Sequence, residues 1–173
     1  MKRVFVSAIF AMFSLFFLAR LSWGAVFCVN TPSELQAALT AAEANQEDDI
    51  IKVIQGAYSG NFTYNSNKGY TITLLGGHTS GCAGRVLNPS NTILDGGGVG
   101  RVLYINNSEG GDIYVEGFTI QNGTTVDSGG GIYAHAYSLF NPLPYITINN
   151  NILSFIFCFK RCCTNLFCFY FIS

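Results

Sequence analysis

Two groups of residues in this 173-residue chain could do chemistry: a set of aspartates with two histidines, and six cysteines. Acid–base cleavage of a glycosidic bond needs two carboxyl groups about 5 to 10 Å apart on one face. Aspartates spaced by two along a strand would supply that, yet no Asp-x-Asp occurs. Asp48 and Asp49 are adjacent, so in a strand their side chains would leave opposite faces. Asp95, Asp112 and Asp127 could stack on neighbouring turns of a repeat, but each has glycine close by, company that assigns them to turns. His78, in Gly76-Gly77-His78-Thr79, and His135, in Ala134-His135-Ala136-Tyr137, lack a carboxylate nearby in sequence and read as surface or turn histidines rather than bases. No catalytic, cofactor-binding or metal-ligating residue is assigned, and no cofactor is expected.

The cysteines depend on compartment. Lys2 and Arg3 precede an apolar run, Val4 to Leu18, and small residues Ser22 and Gly24 follow it. That order predicts a secretory signal over residues 1–24, cleaved to give a mature chain from Ala25. Fifteen apolar residues with Ser7 and Ser14 among them are short for an uncleaved anchor. Cys28 and Cys82 are the only thiols of the middle section, and in an oxidising compartment a disulfide between them is favoured over free thiols. A metal site is disfavoured because two cysteines with His78 fall one ligand short of four.

Charge excludes another class of partner. Between Ala25 and Asn151 only Lys52, Lys68, Arg85 and Arg101 face ten acids, a net of −6. Nucleic-acid binding requires a basic footprint that this section lacks.

The elements that must position these residues are one helix and then short strands. Thr31-Pro32-Ser33-Glu34 carries a capping Thr, a Pro at the first helical position and a Glu that completes the capping box. Leu35, Ala38, Leu39 and Ala42 then form one apolar stripe, and the run extends to about Asn45. Beyond it, β-type segments follow one another: Ile50 to Ile54, Tyr70 to Leu75, Thr92 to Leu94, Val102 to Ile105, Ile113 to Val115, Phe118 to Ile120, Ile132 to Ala134 and Tyr145 to Ile148. No second amphipathic helix intervenes, which predicts an all-β body rather than a βαβ fold.

The segments also repeat. Ile72-Thr73-Leu74-Leu75-Gly76 matches Ile93-Leu94-Asp95-Gly96 at a spacing of 21, Ile113-Tyr114-Val115-Glu116-Gly117 follows 20 later, and Ile146-Thr147-Ile148-Asn149-Asn150 another 33 on. Strands closed by glycine or asparagine at such periods suit a solenoid, because each coil turns sharply where residues tolerating positive φ fit cheaply.

Gly117-Phe118-Thr119-Ile120-Gln121-Asn122-Gly123, then Gly129-Gly130-Gly131-Ile132, then Ile146-Thr147-Ile148-Asn149-Asn150-Asn151, resembles the right-handed parallel β-helix repeat proteins that bacteria export, the pectate-lyase-like superfamily. Gly129-Gly130-Gly131-Ile132 is also similar to the repeat of polymorphic outer-membrane proteins. The resemblance covers about Thr31 to Leu153. It implies a three-sided solenoid with inward apolar stacks, plugged at its N-terminal end by the helix. Enzymes of that superfamily cleave polysaccharides with clustered aspartates; the polygalacturonase pattern of Asn-Thr-Asp, paired Asp, Gly-His-Gly and Arg-Ile-Lys is absent here.

From Ile152 the chain changes character: no glycine, six phenylalanines, and Cys158, Cys162, Cys163 and Cys168. Lys160 and Arg161 in its middle argue against a membrane span, and the cysteines lack the histidine or tight-turn glycine of a metal site. The sequence thus predicts a signal (1–24), a cap segment with its helix (25–46), β-helix coils (47–151) and a tail outside the repeat (152–173), as of a truncated chain. The expected protein is secreted or at the cell surface, with a structural, adhesion or carbohydrate-binding role and extracellular polysaccharide or surface components as partners. A truncated polysaccharide lyase or glycoside hydrolase is the alternative.

Overall fold

The computed structural model describes residues 24–138 and 142–158, with backbone alone for Phe157 and Cys158. Residues 1–23 of the expected signal and the cysteines beyond Cys158 lie outside the described residues. The described residues are mostly β, with parallel sheets and one α-helix among them.

Strand β1 (Val26–Val29) leads into helix α1 (Pro32–Ala44). The Thr31 hydroxyl accepts from the Glu34 amide at 3.2 Å, so the predicted N-cap forms. The Glu34 carboxylate reaches one residue further back than a capping box requires, accepting from the Asn30 amide at 2.7 Å. Leu35, Ala38, Leu39 and Ala42 are all buried, as their spacing predicts.

The strands that follow are β2 (Asp49–Ile54), β3 (Gly56–Ser59), β4 (Phe62–Ser66), β5 (Ile72–His78), β6 (Thr92–Asp95), β7 (Leu103–Asn107), β8 (Ile113–Glu116) and β9 (Thr119–Gln121). After them come β10 (Thr124–Thr125), β11 (Ile132–Ala136), β12 (Ile146–Asn149), β13 (Ile152–Ser154) and β14 (Phe157–Cys158). The first sheet has the order β1-β2-β5-β8-β12, the second β3-β6-β9-β13, the third β4-β7-β11, and β10 pairs with β14. Among the described residues every pair of strands is parallel, and His78 makes an isolated antiparallel bridge to Arg85.

This pairing corrects the repeat read from sequence. Ile72 does not align with Ile93; it lies opposite Ile113, and Ile93 opposite Thr119 in another sheet. The Ile113 and Ile146 segments do pair as their similarity suggested. The corners between strands differ in length: 79–91 separates β5 from β6, whereas Gly117 and Phe118 alone separate β8 from β9. Pairing on either side of each corner is nonetheless kept.

Inside, like sits over like. Ile72 and Ile113 form one inward row, Ile51, Leu74 and Val115 the next, and Tyr58, Leu94 and Ile120 line the second sheet, all at most 1% exposed. Outward residues alternate with them, the two-residue period of a half-buried strand. Corners use the left-handed conformation: Gly117 (φ 85°) is succeeded at the equivalent place of the next strand pair by Asn150 (φ 50°). At another corner a Cβ on Gly111 would overlap the Tyr70 carbonyl oxygen, so no side chain fits there.

Sheet pairing runs past Asn151. Ile152–Ser154 pairs in register with Thr119–Gln121, and Leu153 packs against the core. The departure from the pattern shows at Phe155, which has φ 52° and is 71% exposed where the preceding strand pair has Asn122 at φ 54°.

Candidate ligand-binding face

Cys28 and Cys82 are joined by a disulfide, with Cα atoms 5.9 Å apart. It ties β1 to the 79–91 corner.

The aspartates are occupied in holding the chain together. Asp49 is buried at the start of β2, accepts from the Asn45 side-chain amide at 2.9 Å, and has its pKa raised chiefly by burial. Its neighbour Asp48 is exposed and accepts from the Thr71 amide at 2.8 Å, so the two do leave on opposite sides. Asp95 accepts from Gln121 (2.8 Å), the Gly97 amide (2.9 Å) and Asn122 (3.0 Å), bonds that hold its pKa down. Its bond to Gly97 is the turn duty expected of it. Asp112 accepts from the Tyr145 amide at 2.8 Å and from the Tyr114 hydroxyl at 3.2 Å. Asp127 lies 4.0 Å from Arg101. Glu116 accepts from Arg85 at 2.7 Å and from Asn150 at 2.9 Å, and Arg85, the first cause, lowers its pKa. Among the described residues no group of three or more His, Cys, Asp or Glu could hold a metal ion.

His78 corrects the reading of a surface histidine: at the end of β5 it is only 6% exposed. Its Nδ1 lies 3.2 Å from the Gly84 carbonyl oxygen, and Nε2 is buried without a partner. Burial, then the Arg85 and Lys52 charges, lower its pKa.

His135 leads to a feature not found from sequence. On the outward face of the third sheet, β4, β7 and β11 bring Asn65, Asn106 and His135 into one row, bonded in series: Asn106 Nδ2 donates to Asn65 Oδ1 at 2.8 Å, and Asn106 Oδ1 lies 2.8 Å from His135 Nδ1. The adjacent row is Thr63, Tyr104 and Tyr133. The two tyrosine rings stack at 5.0 Å with planes 5° apart, and the Arg101 guanidinium lies 5.2 Å from the Tyr133 centroid. Arg101 is fixed further by donating from Nε to the Ser128 carbonyl at 2.9 Å. Beside the tyrosines runs an open groove of about 510 Å³, lined among others by Asn61, Thr63, Arg101, Tyr104 and Thr124. Val99 and Val126, 83% and 72% exposed, form part of its wall. The sequence signal was the alternation in Leu103-Tyr104-Ile105-Asn106 and Ile132-Tyr133-Ala134-His135, which puts Tyr, Asn and His on one outward face.

Helix α1 closes the first edge of this sheet. The Gln36 carboxamide accepts from the Thr63 amide and donates to the Thr63 carbonyl, both at 2.9 Å, and the Glu43 carboxylate accepts from the Asn65 amide at 2.7 Å. Side chains thus take the place of a neighbouring strand. No described helix is long and apolar enough to cross a membrane.

Comparison with known proteins adds no assignment: no protein family, no curated protein and no solved structure matches the chain.

Proposed function

We propose that this chain is an exported parallel β-helix protein that binds carbohydrate on the outward face of its third sheet. Three observations support the solenoid reading: all described strand pairs are parallel, three sheets each take strands in chain order, and inward apolar rows run across successive strands. Right-handed coiling follows from the strong preference of parallel crossovers. The signal-like segment 1–24 and the Cys28–Cys82 bridge support export.

The observation that carries the binding reading is the Tyr104–Tyr133 stack, with a row of amide and imidazole groups adjacent to it on the same face and an open groove that Tyr104 lines. A sugar ring offers an apolar C–H face to an aromatic surface and hydroxyls to polar neighbours, and this face offers both. Binding is favoured over cleavage because Asp95, Asp112, Asp127 and Glu116 are each engaged in contacts within the fold.

Affinity electrophoresis through gels containing a panel of neutral and acidic polysaccharides tests the reading. The protein should be retarded by at least one, and Tyr104→Ala with Tyr133→Ala should weaken retention about tenfold or more, because the variant lacks the aromatic surface on which the sugar rests; tenfold corresponds to about 1.4 kcal/mol. Passage through every gel unretarded, or equal retention of the folded double variant, would overturn it.

A further inference from the structure

The tyrosine row is one ring short. Tyr133 covers one face of Tyr104, whereas across the strands on the other side Tyr104 meets only Thr63, which has no ring. Among the described residues no further strand of the third sheet lies beyond Thr63; α1 takes that edge, gripping the Thr63 backbone through Gln36. One rung of the stack is therefore vacant, about 4.8 Å deep along the row as strand spacing dictates, with Tyr104 on one side and the exposed Thr63 side chain beneath. The groove opens at this place, since Thr63 and Tyr104 both line it.

Resting on the carbohydrate-binding reading above, we infer that this vacancy is the principal subsite, seating one neutral pyranose ring on Tyr104 above Thr63. The size is that of a single ring, because α1 occupies what would be the next rung. The rim is polar: Asn61 is exposed and fixed by donating to the Arg101 carbonyl at 2.7 Å, and the Thr63 and Thr124 hydroxyls line the same groove. An apolar aromatic ligand would want an enclosed pocket, whereas this groove is open to solvent on the side where a sugar keeps its hydroxyls wet.

Charge selects the neutral sugar. Arg101 is the nearest cation, but it already faces Asp127 at 4.0 Å and lies against the Tyr133 ring. The section from Ala25 to Asn151 has a net charge of −6, which opposes a polyanionic chain.

The test uses the whole exported chain in affinity gels and titration calorimetry, with neutral polysaccharides and polyuronate as probes. Thr63→Tyr adds the missing ring from within and leaves the backbone grip of Gln36 in place. It should weaken neutral-glycan binding about tenfold or more, a larger loss than that of Thr63→Ala, which removes one rim hydroxyl and keeps the rung open. Saturating glycan should also quench tyrosine fluorescence in the unmodified chain and not in Tyr104→Ala, a readout that does not depend on Thr63→Tyr folding. Undiminished binding by folded Thr63→Tyr, with loss in Tyr133→Ala, would place the ligand elsewhere on this face and sink the subsite alone. Tighter retention by polyuronate than by any neutral chain would overturn the choice of sugar. Failure of the unmodified protein to bind any glycan would fell the broader reading instead.

Discussion

Replacing Cys28 and Cys82 together by serine isolates the contribution of one covalent link. Cys28 is exposed and Cys82 half-buried, so the exchange removes little packed apolar surface. What it removes is a constraint on the unfolded chain, because the bridge closes a loop with a sequence separation of 54 that contains α1 and β2 to β5. In the chain-entropy account a loop of that size is worth about 4 kcal/mol at 25 °C. For a body of this size that corresponds to a fall in melting temperature of roughly 10–20 °C. The native contacts near the bridge should survive, since β1 still pairs with β2 and Leu35 and Leu39 of the helix still pack into the core. Urea denaturation followed by circular dichroism, on the variant and on the unmodified chain with and without reductant, measures the difference at unchanged native spectrum. A loss below about 1 kcal/mol in the double variant would refute the reasoning. It would mean that the unfolded chain is already confined, or that the bridge is offset by strain.

Three further outcomes are expected. Leu39→Ala, at a fully buried position of α1, should cost about 2–5 kcal/mol in the same denaturation assay, and a cost under 1 kcal/mol would show that the helix does not seal the core. Leu153→Ala should cost about 1–2 kcal/mol, because β13 belongs to the second sheet although it lies past the boundary expected at Asn151; no effect would return the tail to the outside of the fold. His78 makes stability depend on pH with a defined sign. Its folded pKa is depressed below the ordinary 6.5, so the unfolded chain takes up its proton first, and stability present above pH 6.5 is lost as pH falls through and below that value. Melting temperatures from pH 7.5 to 5 should fall less steeply for His78→Gln than for the unmodified chain, and parallel curves would remove His78 from the account.

The helix was legible but for the partner of Glu34, because its cap, stripe and first-turn proline act within one segment. Strands with β-branched inward residues, such as β2, β5 and β8, were legible to within a few residues. Strands β3 and β4 were not, since Gly56-Ala57-Tyr58-Ser59 has little apolar content and becomes a strand by pairing with β6. In Phe62-Thr63-Tyr64-Asn65-Ser66 a regular alternation was hidden among polar residues. The repeat spacing misled for a related reason. Short apolar segments closed by glycine occur on more than one side of the structure, Ile72 to Gly76 in the first sheet and Ile93 to Gly96 in the second, so the nearest match in sequence joined segments from different sheets. The tyrosine row was out of reach because Tyr104 and Tyr133 meet only once the pairing of β7 with β11 is known, and the intervening corners have no common length. His78 misled because its glycine neighbours looked like a turn, while the chain continues past it into a corner that buries it.

The unequal corners separate two kinds of information in the chain. What stacks in the core is written in the strands, whose partners hold whether the next corner is two residues or thirteen long. Part of what the outside displays is written in the corners, and closing a longer one costs only about 0.6 kcal/mol for each doubling. Drift by insertion can therefore rework the exterior one corner at a time, each edit independent of the others and invisible to the interior. The disulfide and the Arg85–Glu116 pair fix one corner in a chosen shape, as punctuation fixes the reading of a sentence whose words could otherwise be extended at will.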